Sequence, residues 1–152
     1  HASPPCQLWA AGGNRYRSTY PDLVGPLRPA LRRTGKPYVI ENVPRAPLQN
    51  PIMLCGGALN LQLNGWQLHR HRCFECSFPA RGLPCMKIAP ITLSVTGTGT
   101  PTGSWKKIGR AVRISEFRAI VGMPWAGRHE LSEAIPPAYT EWIGRQLVAH
   151  LT

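Results

Sequence analysis

Pro37-Tyr38-Val39-Ile40-Glu41-Asn42-Val43 is the stretch that decides the fold. Its β-branched and aromatic residues lie between the punctuation of Gly35 and Pro44, which marks a buried strand. A carboxylate at the end of such a run is costly unless it is paired or functional. Working back to the start of the chain, Ser3-Pro4-Pro5-Cys6-Gln7 follows residues 1–3, which read as the last stub of another strand. The two prolines exclude a helix and fix an extended chain that delivers Cys6 to a strand end. If the two strands are parallel neighbours, Cys6 and Glu41 share one sheet edge, where sites of open α/β sheets gather. A thiol there is a candidate nucleophile, and a buried acid beside it suits attack on a ring that is protonated at the same time. A structural cysteine and an edge carboxylate capping the next loop are the alternatives.

Working forward, Leu23 to Arg33 holds a short helix, centred on Ala30–Arg33 because of Gly25, Pro26 and Pro29. Ile52–Cys55 forms a short strand ended by Gly56-Gly57. Trp66 to Phe78 reads as one long strand, with Leu68, Arg70, Arg72 and Phe74 on one face and His69, His71, Cys73 and Glu75 on the other. Two arginines on one face can hold a base oxygen or a phosphate, or stand solvated on an exposed strand. Residues 79–112 change character, with a Gly/Thr-rich run at Thr96–Ser104, one strand at Ile91–Val95 and a basic exit at Lys106-Lys107. Ser115 is expected to cap a helix over Glu116–Val121. The strongest helix is Ala138–Leu151, apolar on Tyr139, Trp142, Ile143, Leu147 and Leu151.

The bulk composition narrows the partners. Over 152 residues, 18 Lys and Arg oppose 7 Asp and Glu, a formal +11, so the surface attracts polyanions such as nucleic acid. No apolar run approaches the ~20 residues of a membrane helix. The five cysteines lack the spacing of a secreted disulfide scaffold and read as reduced thiols of a cytoplasmic protein. Cys73-x-x-Cys76, with Cys85, His69 and His71 nearby, raises a zinc reading. Strand alternation sends Cys73 and Cys76 to opposite faces and no second pair completes the set, so no metal site is expected. Thr96–Ser104 lacks the Gly-Lys-Ser/Thr ending of a nucleotide-binding loop.

In order along the chain, Pro5-Cys6-Gln7, Glu41-Asn42-Val43 and the two arginines of Leu68-His69-Arg70-His71-Arg72 resemble motifs of the C5-cytosine DNA methyltransferase family. Leu68 stands where that family has Gln. Ile114-Ser115-Glu116-Phe117-Arg118 to Gly122-Met123-Pro124, and Ala134-Ile135-Pro136-Pro137 with Trp142-Ile143-Gly144, are similar to its last two motifs. The resemblance spans residues 3–151. It implies an α/β fold, part of a Rossmann-like methyltransferase sheet. Residues 1–76 would be the catalytic domain, 77–112 a short target-recognition insert and 113–152 helices returning to the catalytic domain.

The resemblance also implies a chemistry and a set of roles. A cytosine of double-stranded DNA is flipped into the pocket and Cys6 adds to its C6. Glu41 holds the N3 edge, Arg72 holds the base O2 and Arg70 braces the site. S-adenosylmethionine supplies the methyl group, with Pro5, Ala134 and Ile135 touching it. Gln7, Asn42, Thr98, Gly99, Lys106, Lys107 and Arg110 would contact DNA. The family's Gly-rich cofactor loop and ribose-binding acid are expected upstream of residue 1, so the chain reads as the later part of an enzyme. One half of a split methyltransferase and a non-catalytic DNA-binding remnant are the alternatives.

Overall fold

In the computed structural model the described residues are 1–10, 20–96, 100–102, 110 and 112–152. Among them the elements run α1 (Val24–Arg33), β1 (Val39–Asn42), β2 (Ile52–Leu54), a 3-10 turn (Gly56–Leu59), β3 (Gln62–Leu63), β4 (Trp66–Leu68), β5 (Arg72–Cys76), β6 (Ile91–Thr96), β7 (Thr100–Thr102), α2 (Ile114–Val121), α3 (Arg128–Glu133) and α4 (Pro137–Leu151). They form two compact units. The first comprises His1–Met53, His71–Gly82 and Gln146–Thr152, the second Leu54–Arg70 and Leu83–Arg145. The units interleave along the sequence, whereas the divisions expected at 76 and 112 follow it.

The first unit is organised by a three-stranded sheet in the order β1-β5-β2. β1 and β5 are antiparallel, with Glu41 opposite Phe74 and Asn42 opposite Cys73. All four residues of β1 are buried, which explains the unbroken apolar character of Val39-Ile40. On the free edge of β1, Ala2 pairs in parallel with Ile40. The Ala2 N–H donates to the Val39 carbonyl and the Glu41 N–H to the Ala2 carbonyl, both at 2.9 Å. The stub at residues 1–3 is thus a parallel neighbour of β1. α1 is a full ten-residue helix. Its start is helped by Asp22, whose carboxylate accepts the Val24 N–H at 2.9 Å. Pro26 falls in the first turn, where an N–H has no intrahelical partner, and only Pro29 removes a helix bond.

The second unit carries a four-stranded sheet in the order β3-β4-β6-β7. Asn64 and Gly65, at φ 51 and 77, make the tight turn between β3 and β4. Both φ values are positive, the requirement of a two-residue hairpin turn. β4 and β6 pair in parallel, Trp66 opposite Ile91 and Leu68 opposite Leu93. β6 therefore belongs to a sheet core, where the sequence suggested a lone strand in an insert. Trp66, Leu68 and Leu93 pack with Val112, Phe117, Ile120, Val121, Ala126 and Leu131 from the helical segments. α2 begins at Ile114, one residue before the expected cap, because the Glu116 carboxylate accepts the Arg113 N–H at 2.9 Å. Gly122, at φ 80, ends it. α4 starts at Pro137 and buries Tyr139 and Ile143, but Leu151 at its far end is exposed.

The expected long strand over Trp66–Phe78 is two strands in different sheets. Trp66–Leu68 joins β6, Arg72–Cys76 joins β1, and residues 69–71 lie in no strand. The alternation that set Arg70 and Arg72 on one face is lost at this break. Among the described residues no helix is long and apolar enough to cross a membrane.

Candidate active site

Cys6 follows the Ala2–Ile40 bridge by four residues on the turn leaving that strand. Its carbonyl accepts the Trp9 and Ala10 N–H groups at 2.9 and 2.8 Å, which folds the chain back directly after the thiol. Cys6 is half-buried, between an exposed Pro5 and an exposed Gln7. One residue past Ile40, Glu41 is buried, and its carboxylate meets the Arg72 Nε at 3.0 Å. Arg72 is the first residue of β5, so the antiparallel register of β1 and β5 brings this acid and this base together. The guanidinium offsets the cost of burying the carboxylate. Arg72 also donates from Nη1 to the His71 carbonyl at 3.0 Å, which fixes the plane of the fork.

Asn42 locks the two strand ends to each other. Its Nδ2 donates to the Pro4 carbonyl at 3.0 Å, while its Oδ1 accepts the Val43 N–H at 2.9 Å. With the side chain buried and both ends of the amide engaged, Asn42 positions the Pro-Pro-Cys turn. Cys73, opposite Asn42, is also buried, and burial followed by the Glu41 charge pushes its thiol up against the opposing pull of Arg72. Burial likewise raises the Cys76 thiol, to about 11. Both thiols are held protonated at neutral pH and are poor nucleophiles.

Arg70 lies in the second unit, buried, where its Nη2 donates to the Ser132 carbonyl at 2.8 Å. Its own carbonyl accepts the Tyr139 hydroxyl at 2.6 Å. It ties α3 and α4 to the end of β4. Arg110 is engaged as well: its guanidinium makes two hydrogen bonds to Glu116, at 2.9 and 2.6 Å, and stacks 5.2 Å from the Trp66 ring. The Arg110 hydrogen bond heads the causes that hold Glu116 down to about 2. Thr98, Gly99, Lys106 and Lys107 lie outside the described residues.

The residues expected to touch S-adenosylmethionine fall in both units. Pro5 is in the first unit, Ala134 and Ile135 in the second. The Ala134 N–H is committed to the Glu130 carbonyl, and none of the three offers the carboxylate that ribose hydroxyls call for.

Two further groups emerge, one that the sequence reading did not single out and one that it considered with different cysteines. In the first unit Glu75, buried on β5, accepts from Arg28 Nε and Nη2, each at 2.7 Å, and from the Gln49 N–H at 2.8 Å. Burial pushes this carboxyl up, but Arg28 and the Gln49 N–H outweigh it and hold it below its ordinary value. In the second unit Cys55, His69 and Cys85 bring their ligand atoms within 4.8 Å of one another. That donor set can hold a metal ion. It draws on Cys55, whereas Cys73 and Cys76, considered together from sequence, stand three apart on β5.

No protein-family model matches the chain, and no curated protein matches it.

Proposed function

We propose that this chain is the base-binding, nucleophile-bearing part of a DNA (cytosine-5)-methyltransferase of the cytoplasm. The observation that carries the reading is the parallel pairing of the Ala2 strand with β1. It sets the Cys6 turn and the Glu41–Arg72 pair at the carboxyl ends of adjacent strands, with Asn42 holding one to the other. The fold is then part of a Rossmann-like methyltransferase sheet, and the formal +11 of the chain draws in the DNA backbone.

In this reading the Cys6 thiolate adds to C6 of a flipped cytosine. A C–S bond forms, the C5–C6 π pair shifts through C4 to N3, and N3 takes the proton of Glu41 in its acid form. C5 then becomes an enamine carbon able to attack an electrophile. Loss of the C5 proton to a water molecule, expulsion of the thiolate from C6 and return of the N3 proton to Glu41 restore the aromatic ring. Arg72 keeps the Glu41 carboxylate oriented and is the candidate donor to the base O2. The methyl donor would be S-adenosylmethionine, held by residues beyond the three named above.

The test is mass spectrometry of the full-length protein after incubation with duplex DNA carrying 2-pyrimidinone in place of cytosine, a base that adds thiols at C6 without a methyl donor. The reading predicts a covalent adduct on the Cys6 peptide that is absent in C6A. DNA binding without an adduct would refute it and leave a DNA-binding remnant.

A further inference from the structure

We propose that the second unit contains a zinc site, with Cys55, His69 and Cys85 as ligands. Their ligand atoms already lie within 4.8 Å of one another. A tetrahedral zinc with bonds of about 2.3 Å to sulfur and about 2.0 Å to nitrogen needs ligand atoms roughly 3.3–3.8 Å apart, so about an ångström of side-chain movement closes the set. Two sulfurs and an imidazole are the soft-to-borderline donors that select zinc over magnesium or calcium. A water molecule or another small ligand would complete the tetrahedron.

The backbone around these ligands is built to hold them. Cys55 is buried and is followed at once by Gly56-Gly57, where no side chain fits. A Cβ at Gly56 would lie 2.3 Å from the Leu68 carbonyl oxygen, and one at Gly57 2.0 Å from that of Met86. The Cys55 turn therefore lies directly against both the residue before His69 and the residue after Cys85. Gln67, fully buried on β4, spans the same gap. Its Nε2 donates to the Met86 carbonyl at 2.8 Å, and its Oε1 accepts the Ile88 and Ala89 N–H groups. One glutamine thus clamps the segment after Cys85 to the strand that immediately precedes His69. The His69 N–H is held in turn by the Leu93 carbonyl at 2.7 Å. Three separate stretches of chain converge here, and a metal would staple them in a unit whose hydrophobic core is small.

The test is metal content and cobalt substitution of the full-length protein, purified in reducing buffer with zinc present. The expected result is one zinc per chain. Cobalt exchanged into the site should show the visible bands of a tetrahedral ion and a thiolate charge-transfer band. C85A removes an exposed side chain and so leaves the fold intact, and it should weaken zinc binding beyond the ~10–100-fold that loss of an outer hydrogen-bond partner costs. H69N should do the same, and C76S should bind as the parent does. Protein without zinc, protein whose Cys55 and Cys85 are found joined as a disulfide, or a C85A variant that keeps its zinc would each overturn the proposal.

Discussion

Removing Arg28 should expose how much of the first unit's stability rests on one buried ion pair. The Arg28 and Glu75 side chains are only 11% and 4% exposed, so solvent screens their interaction weakly. The R28M substitution keeps the length of the stem but takes away both guanidinium bonds to the carboxylate and the bond to the Pro47 carbonyl. Glu75 is then left buried with the Gln49 N–H as its remaining hydrogen-bond donor among the described residues and the Arg32 charge nearby. Breaking a buried pair from one side costs about 3–5 kcal/mol, because the surviving charge is stranded. In a chain of this length that is a fall in Tm of roughly 6–20 °C. Replacing both partners, in R28M/E75M, should recover most of the loss, since apolar pairs of similar volume often cost little. The assay is urea denaturation of the four proteins of the cycle, with m values compared to exclude a change in the denatured state. A cost below about 1 kcal/mol for R28M, or strictly additive losses in the double variant, would refute the account of this pair.

The remaining predictions need less argument. Because the carboxyl of Glu75 is held below its ordinary value of 4.5, its contribution is full above that pH and is lost as the pH falls through the folded-state value. Acid unfolding should therefore begin at higher pH in R28M than in the parent, as read by far-UV circular dichroism. G57A should destabilise by about 1–3 kcal/mol or more, since its Cβ meets the Met86 carbonyl and the Gln67 amide at 2.0 and 2.6 Å. G144A, with nothing within 4 Å, should stabilise α4 by roughly 0.5–1 kcal/mol; thermal melts of the two variants check both signs. E41Q should slow attack on the base by about 10²–10⁴-fold in single-turnover measurements, and R72K should not substitute for the guanidinium fork.

What the sequence reveals about this molecule divides along the range of the interactions. Pro37–Val43 and Pro4-Pro5-Cys6 are legible because each has a local cause, β-branched burial in one and proline geometry in the other. Their adjacency follows from the preference for sites at strand ends, and the Ala2–Ile40 bridge realises it. The break inside Trp66–Phe78 is hidden because Arg70 and Arg72 keep a period of two across residues that pair with different sheets. The Asn64-Gly65 turn was a local signal for the first half of that division. Arg28 and Glu75 are 47 residues apart, and Cys55 and His69 meet only through the close approach of Gly56 to Leu68. No spacing rule reports contacts of that kind. Asn42 and Arg110 illustrate the converse: each is a plausible DNA contact by residue type, and each is taken up within the protein.

The central claim, that Cys6 is the nucleophile toward C6 of cytosine in DNA, is tested most directly by exchange of the C5 hydrogen. Duplex DNA labelled with tritium at C5 of cytosine is incubated with the full-length protein, and tritium released to water is counted. Addition of Cys6 at C6 lets C5 take up a solvent proton, and reversal expels tritium, so release needs no methyl donor. The account predicts release that is abolished in C6A and sharply reduced in E41Q. Release that persists in C6A, or its absence from parent protein shown to bind the same DNA, would contradict it.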